Sequence, residues 1–200
     1  MPTGRLDLFI AKLPVNTVVL TLNCSEGSSE LLSLPRGGAK LTLVRGSEKQ
    51  PIQLEILEGR ECFADFMEMN YALAKRFQLR ALRRYSLKYD PDERTLTISP
   101  SPLSETIAPV TPGAVGANTV SVGFELLSRL GIPERQGMLL NVRAGRNSAK
   151  FRLHVPSNLS DDRLRLSAPW LQKWKLAANR PHKLQYDQRN GTLSLAPAQR

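Results

Sequence analysis

The sequence predicts a mainly β protein with short helices, organised as two tandem small β-barrels, each assembled from two βαββ units. Three observations carry that reading. LKYDPDERTLTISP at 87–100 and LQYDQRNGTLSLAP at 184–197 agree at six of fourteen positions without a gap. Sliding the chain by 97 residues places Met67, Met69, Leu73, Phe77, Leu87 and Tyr89 on Leu164, Leu166, Trp170, Trp174, Leu184 and Tyr186, so what repeats is a set of core positions. Within each copy the apolar period changes from strand-like to helical and back in a fixed order.

Residues 164–166, Leu-Arg-Leu, alternate as a strand does. Pro169 follows where a first helical turn tolerates it, with Trp170, Leu171 and Trp174 at helical spacing. Leu184 and Tyr186 alternate again, Asn190-Gly191 marks a tight hairpin, and Thr192 to Leu195 return as its second strand. Upstream, 119–155 repeats the pattern: a strand from Val120 to Phe124, a helix from Glu125 to Leu130 closed by Gly131, then strands Leu139 to Arg143 and Lys150 to Val155. A degenerate version occupies 17–56, with hairpin strands Lys40 to Val44 and Ile52 to Ile56. Its helix is weakened by Ser25, Gly27, Ser28, Ser29, Ser33 and Pro35. Asn16-Thr17-Val18 and Asn118-Thr119-Val120 open the two long copies alike.

One βαββ unit leaves strand edges exposed, whereas two interleaved units close a barrel with a helix over each end. The predicted organisation is a first barrel over 1–100 (repeat 16–100), a linker over 101–117 and a second barrel over 118–200. The linker rests on Pro102, Pro109 and Pro112 and on Glu105 as the sole charge. Leu6, Leu8 and Ile10 suggest an added edge strand.

The opening MPTGRLDLFIAKL breaks its apolar run at Asp7, so no signal-peptide core forms and a reducing, cytoplasmic setting is expected. Cys24 and Cys62 then allow a disulfide without implying one. No stretch reaches the roughly 20 apolar residues of a membrane helix, so no membrane partner is expected.

Charge is uneven. Residues 1–100 carry 14 Lys and Arg against 12 Asp and Glu, and residues 101–200 carry 14 against 6, so the second half supplies +8 of the net +10. Such a half attracts nucleic acid, another polyanion or an acidic protein surface. The candidate polyanion site comprises Lys75, Arg76, Arg80, Arg83, Arg84 and Lys88, an acid-free run, with Lys173, Lys175, Arg180 and Lys183 at the matching place in the other repeat.

Other chemistry is sparse. His154 lies in a predicted strand and His182 in a predicted turn beside Pro181, and both read as structural or merely exposed. No histidine stands at ligand spacing from either cysteine, so no zinc site is expected. PRGG at 35–38, Asp90 with Asp92, and Asp161 with Asp162 read as turns. Trp170 and Trp174 read as core, because their counterparts are Leu73 and Phe77. No catalytic residue, cofactor or metal is expected, and the protein is read as non-enzymatic.

The stretch LGIPERQG at 130–137 resembles the turn between helix and strand of cradle-loop barrels, the group holding swapped-hairpin AbrB-like domains and double-psi barrels. GRNSAKFRLHV at 145–155, LRLSAPWLQKWKL at 164–176 and LSLAP at 193–197 resemble the N-terminal, non-ATP-grasp region of the endospore coat-associated YheC/YheD family. That family continues past its Leu-x-x-Pro step into an ATP-grasp ligase, while this sequence ends at Arg200, so the resemblance implies the accessory region alone, duplicated. It implies a spore-associated binding or structural module that recognises a coat protein, a polymer or a second copy of itself. The alternatives are a nucleic-acid-binding protein using the basic clusters and an accessory substrate-binding module for a separate ATP-grasp-type enzyme.

Overall fold

The computed structural model describes residues 1–22, 29–59, 65–158 and 160–198. The cysteines, Cys24 and Cys62, lie outside the described residues. The chain divides into two units, Met1–Ser101 and Pro102–Arg200.

The first unit contains β1 (Thr3–Ile10), β2 (Thr17–Leu22), a 3-10 turn (Ser29–Ser33), β3 (Ala39–Arg45), β4 (Glu48–Glu58), β5 (Phe66–Met69), α1 (Tyr71–Arg76), β6 (Arg84–Asp90) and β7 (Thr95–Pro100). The second contains β8 (Leu103–Pro112), β9 (Thr119–Val122), α2 (Phe124–Leu130), β10 (Leu139–Ala144), β11 (Asn147–His154), β12 (Leu164–Leu166), α3 (Ala168–Lys173), β13 (Arg180–Asp187) and β14 (Thr192–Pro197). Each unit is a closed seven-stranded barrel. The order β1-β5-β2-β4-β3-β7-β6 reappears as β8-β12-β9-β11-β10-β14-β13.

The pairings explain how an odd number of strands closes. In the first barrel β1·β5, β2·β4 and β3·β7 are parallel, while β5·β2, β4·β3, β7·β6 and β6·β1 are antiparallel. Strand direction therefore reverses an even number of times around the ring, and no edge remains. β2 and β5 run antiparallel, so the 3-10 turn and α1 leave the barrel at opposite ends.

Alternation along the strands directs one side chain in two inward. Leu6, Leu8, Leu20, Leu54, Met67, Leu87 and Leu96 meet in the first core, and Leu31 and Phe77 fill it from the capping turns. Val120, Leu140, Phe151, Leu164, Leu184 and Leu193 meet in the second, capped by Leu126, Leu130 and Leu171. Trp174 is buried, and both Trp170 and Trp174 pack edge-on against Phe151, at centroid separations of 5.1 and 5.7 Å, so Trp174 is core as the repeat predicts while Trp170 is half-buried against it.

The backbone is duplicated with the core. Gln78 and Leu82 take left-handed φ values of 52° and 56°, and their counterparts Lys175 and Asn179 take 54° and 57°. Gly46 and Gly145, at the tips of the β3–β4 and β10–β11 hairpins, share φ 58°. The Asn-Thr-Val openings also match: the carbonyls of Asn16 and Asn118 accept the N–H groups of Gln53 and Arg152.

Three sequence expectations are corrected. The segment expected as a linker over 101–117 contains β8, which belongs to the second barrel and pairs with β12 and β13. Inward Ser104, Ala108 and Val110 alternate with outward Leu103, Glu105 and Ile107, and the small inward residues hide the strand pattern. Pro109 is tolerated because of the direction of its backbone nitrogen. At the equivalent Asp7 the N–H points to Asp65, away from β6, so proline removes no bond from the β8·β13 ladder. The corresponding β1 is no edge strand either, since it lies between β5 and β6. His182, expected in a turn, sits inward in β13 at 2 % exposure, with Nδ1 2.9 Å from the Arg180 carbonyl.

Candidate functional site

The two basic clusters expected from sequence do not form one surface. Arg84 is buried and makes a two-point contact with Asp7, Nε to Oδ1 at 2.9 Å and Nη2 to Oδ2 at 3.0 Å, across β1 and β6. It holds the barrel seam together and is not presented to a ligand, which corrects its place among the polyanion-binding candidates. Arg76 pairs with Glu48 at 3.5 Å and donates to Gln50, tying α1 to the β3–β4 hairpin. Lys183 pairs with Glu105 at 2.9 Å across β13 and β8. Lys173 lies 4.6 Å over the Trp170 ring. Lys75, Arg80, Lys88, Lys175 and Arg180 are exposed and Arg83 is half-buried.

A different group of cations converges. The hairpin of β10 and β11 contains no Asp or Glu from Leu139 to His154. Its inward positions are Leu140, Val142, Ala144, Phe151 and Leu153, so alternation sends Arg143, Lys150, Arg152 and His154 to the outer face, with Arg146 at the tip. All five are exposed. The register places Arg143 opposite Ser148, Asn141 opposite Lys150 and Leu139 opposite Arg152, so neutral residues separate the cations across the hairpin. Among the described residues, no carboxylate forms an ion pair with Arg143, Arg146, Lys150 or Arg152. Unpaired like charges on a low-dielectric wall give a field that attracts an anion.

Beyond the hairpin the ladder runs onto β9, where Ser121 is buried, and β12. His154 pairs with Ser121, and Ser121 with Arg165. Arg165 is engaged by the buried carboxylate of Asp161. Asp161 also accepts the Arg163 N–H, which makes it a structural cap. Asp90 likewise accepts the N–H groups of Asp92 and Glu93, as a turn aspartate does.

The first barrel lacks this face. Thr17 pairs with Gln53 as Thr119 pairs with Arg152. Carried around the ring, Arg143, Lys150, Arg152, His154 and Arg165 correspond to Val44, Pro51, Gln53, Glu55 and Glu68. Equivalent positions have thus diverged in charge while the cores stayed apolar, and this accounts for part of the charge excess of the second half.

At one end of the face, the β8–β9 loop, the loop after α2 and the end of β11 border an open cleft of about 380 Å³. Arg152, His154, Gln136 and Thr119 supply its polar groups, and Ala114 and Val115 an apolar side. The Gln136 side-chain oxygen accepts the Val155 N–H at 2.8 Å. The His154 ring is oriented by Nδ1, 3.2 Å from the Ser121 hydroxyl oxygen.

Neither the cation face nor the cleft was legible as a cluster in the chain, because strand cations stand two residues apart among apolar ones. The usable signal was the acid-free interval 139–154 read with a two-residue period. Among the described residues no three His, Cys, Asp or Glu side chains gather as metal ligands, and no helix is long and apolar enough to cross a membrane. Compared with family models, curated proteins and solved structures, the chain matches none.

Proposed function

We propose that the protein is a non-enzymatic binding protein whose second barrel takes a nucleic-acid backbone on the β10–β11 face. The observation that carries this is the set of exposed cations Arg143, Arg146, Lys150 and Arg152 on a hairpin without a single acid. Phosphates are held by such cations with strong salt dependence and little base preference. The histidines do not suggest general-base work: His182 is turned into the core and His154 is hydrogen-bonded on a basic surface.

Fluorescence anisotropy of a labelled oligonucleotide, read between about 50 and 200 mM salt, tests the proposal. Binding that weakens steeply with salt, and weakens again in Arg143→Ala and Lys150→Ala, supports it. Absence of binding at the low salt end overturns it.

A second reading rests on the likeness to the YheC/YheD accessory region. Its Gly-Arg-x-Ser step and charged strand fall on Gly145–Ser148 and β11, the same hairpin. In that reading the basic face meets an acidic coat-layer protein. Retention on the spore surface without oligonucleotide binding favours it.

A further inference from the structure

We infer that the cleft beside β11 is a seat for one nucleotide unit, with its phosphate on Arg152 and His154 and its sugar or base against Ala114 and Val115. The inference deepens the nucleic-acid reading and rests on it. A volume of about 380 Å³ lies at the small end of ligand pockets, enough for one nucleotide and too small for several. No Asp or Glu is among its lining residues, so the site selects an anion. Arg152 and His154 are two apart on one strand and face the same way. Ser121 engages the His154 Nδ1, which leaves Nε2 as the ring nitrogen available to a ligand. Gln136 uses its oxygen on Val155, so its amide hydrogens remain to donate, and Thr119 adds a hydroxyl. The apolar side contributed by the β8–β9 loop gives a carbon-rich group a place beside the phosphate.

The duplicated architecture makes the inference specific. In the first barrel Glu55 replaces His154, and Gln53 replaces Arg152. The Gln53 amide there lies over Gly38, 2.8 Å from where a Cβ would stand. Gly38 is the counterpart of Gly137, which lines the cleft, so a folded-over glutamine lies at the corresponding place and the strand position of His154 carries a carboxylate instead. One site per chain follows.

The full chain is titrated with thymidine 5′-monophosphate while backbone amide resonances are followed. Shifts confined to Gly116, Thr119, Gly137 and His154, saturating at one nucleotide per chain, are expected. Arg152→Gln weakens binding at least tenfold and Thr119→Val several-fold, whereas Lys40→Gln on the first barrel, the same loss of charge, does not. Shifts spread over both barrels, equal effects of Arg152→Gln and Lys40→Gln, or inorganic phosphate binding as tightly as the nucleotide overturn the inference. An oligonucleotide that binds without shifting the cleft amides sinks the nucleotide seat and leaves the backbone-binding face standing. A saturable cleft in a chain that binds no oligonucleotide sinks the backbone-binding reading and leaves a free-nucleotide site.

Discussion

Asp7 and Arg84 stand directly opposite each other on β1 and β6, with Arg84 donating two charged hydrogen bonds to the Asp7 carboxylate, while the same two places in the second barrel hold Pro109 and Pro181. One seam is joined by an ion pair and its duplicate by two rings without backbone N–H groups. The ion pair is therefore a local solution to closing β6 on β1 and no requirement of the architecture.

Removing one partner should cost more than removing both. Asp7→Ala takes the two-point carboxylate contact from a buried guanidinium, with an expected loss of about 3 kcal/mol, whereas Asp7→Leu with Arg84→Leu should recover most of it. Urea unfolding of the two variants, analysed with a common slope, checks the order.

Gly123 caps α2, and a methyl group there would stand 2.2 Å from the Asp161 carbonyl oxygen. Backbone must move to admit it. Gly123→Ala should destabilise the second barrel by about 3 kcal/mol. The near-ultraviolet signal of Trp170 and Trp174, which report only on that barrel, should be lost at lower temperature than in the parent protein.

Trp174 closes the aromatic cluster with Phe151 and Trp170. Trp174→Ala should cost about 4 kcal/mol through lost burial and the cavity left behind, while Trp174→Phe should cost less than half as much. Calorimetry on both variants decides whether the cluster is core or merely a covered surface.

The acid limb of stability should report Asp187. The Arg189 side chain donates to its carboxylate and holds it below the usual aspartate range, against a smaller opposing effect of burial, and the Arg189 N–H adds to the lowering. A depressed carboxyl stabilises the fold above its unfolded value and loses that contribution as pH falls through its folded value. The difference in stability between the parent and Asp187→Asn should accordingly be full at pH 7 and shrink below about pH 4. Thermal melts across that range measure it.

On the basic face, Arg143→Ala and Lys150→Ala should each lower the slope of log affinity against log salt by about one unit, without changing sequence preference. Arg84→Ala should leave the slope unchanged, because its charge is spent on Asp7. Anisotropy at several salt concentrations separates the two outcomes.

The fold was legible because core positions repeat: Met67 and Leu164, Phe77 and Trp174, Tyr89 and Tyr186 kept their apolar character while their surroundings changed. β8 was not, since Ser104 and Ala108 give an inward face too small to register as hydrophobic and Pro109 suggests a break. The placement of Arg84 was hidden for another reason. Its partner Asp7 lies 77 residues away, and a run of neighbouring cations says nothing about which one turns inward. The converging cations were hidden in the opposite way: β11 spreads Lys150 and Arg152 among core residues, so folding assembles a charge density that no contiguous segment possesses.

The position of β1 in the ring has a bearing on how the chain is made. It is synthesised before the other strands of its barrel, yet both of its neighbours, β5 and β6, lie more than fifty residues downstream. A nascent chain truncated between β4 and β5 carries a strand with nowhere to dock, and contacts of such long range form slowly. The interval before β6 arrives is when each barrel is exposed to mispairing, and it occurs twice in every round of synthesis because β8 repeats the same wait for β12 and β13.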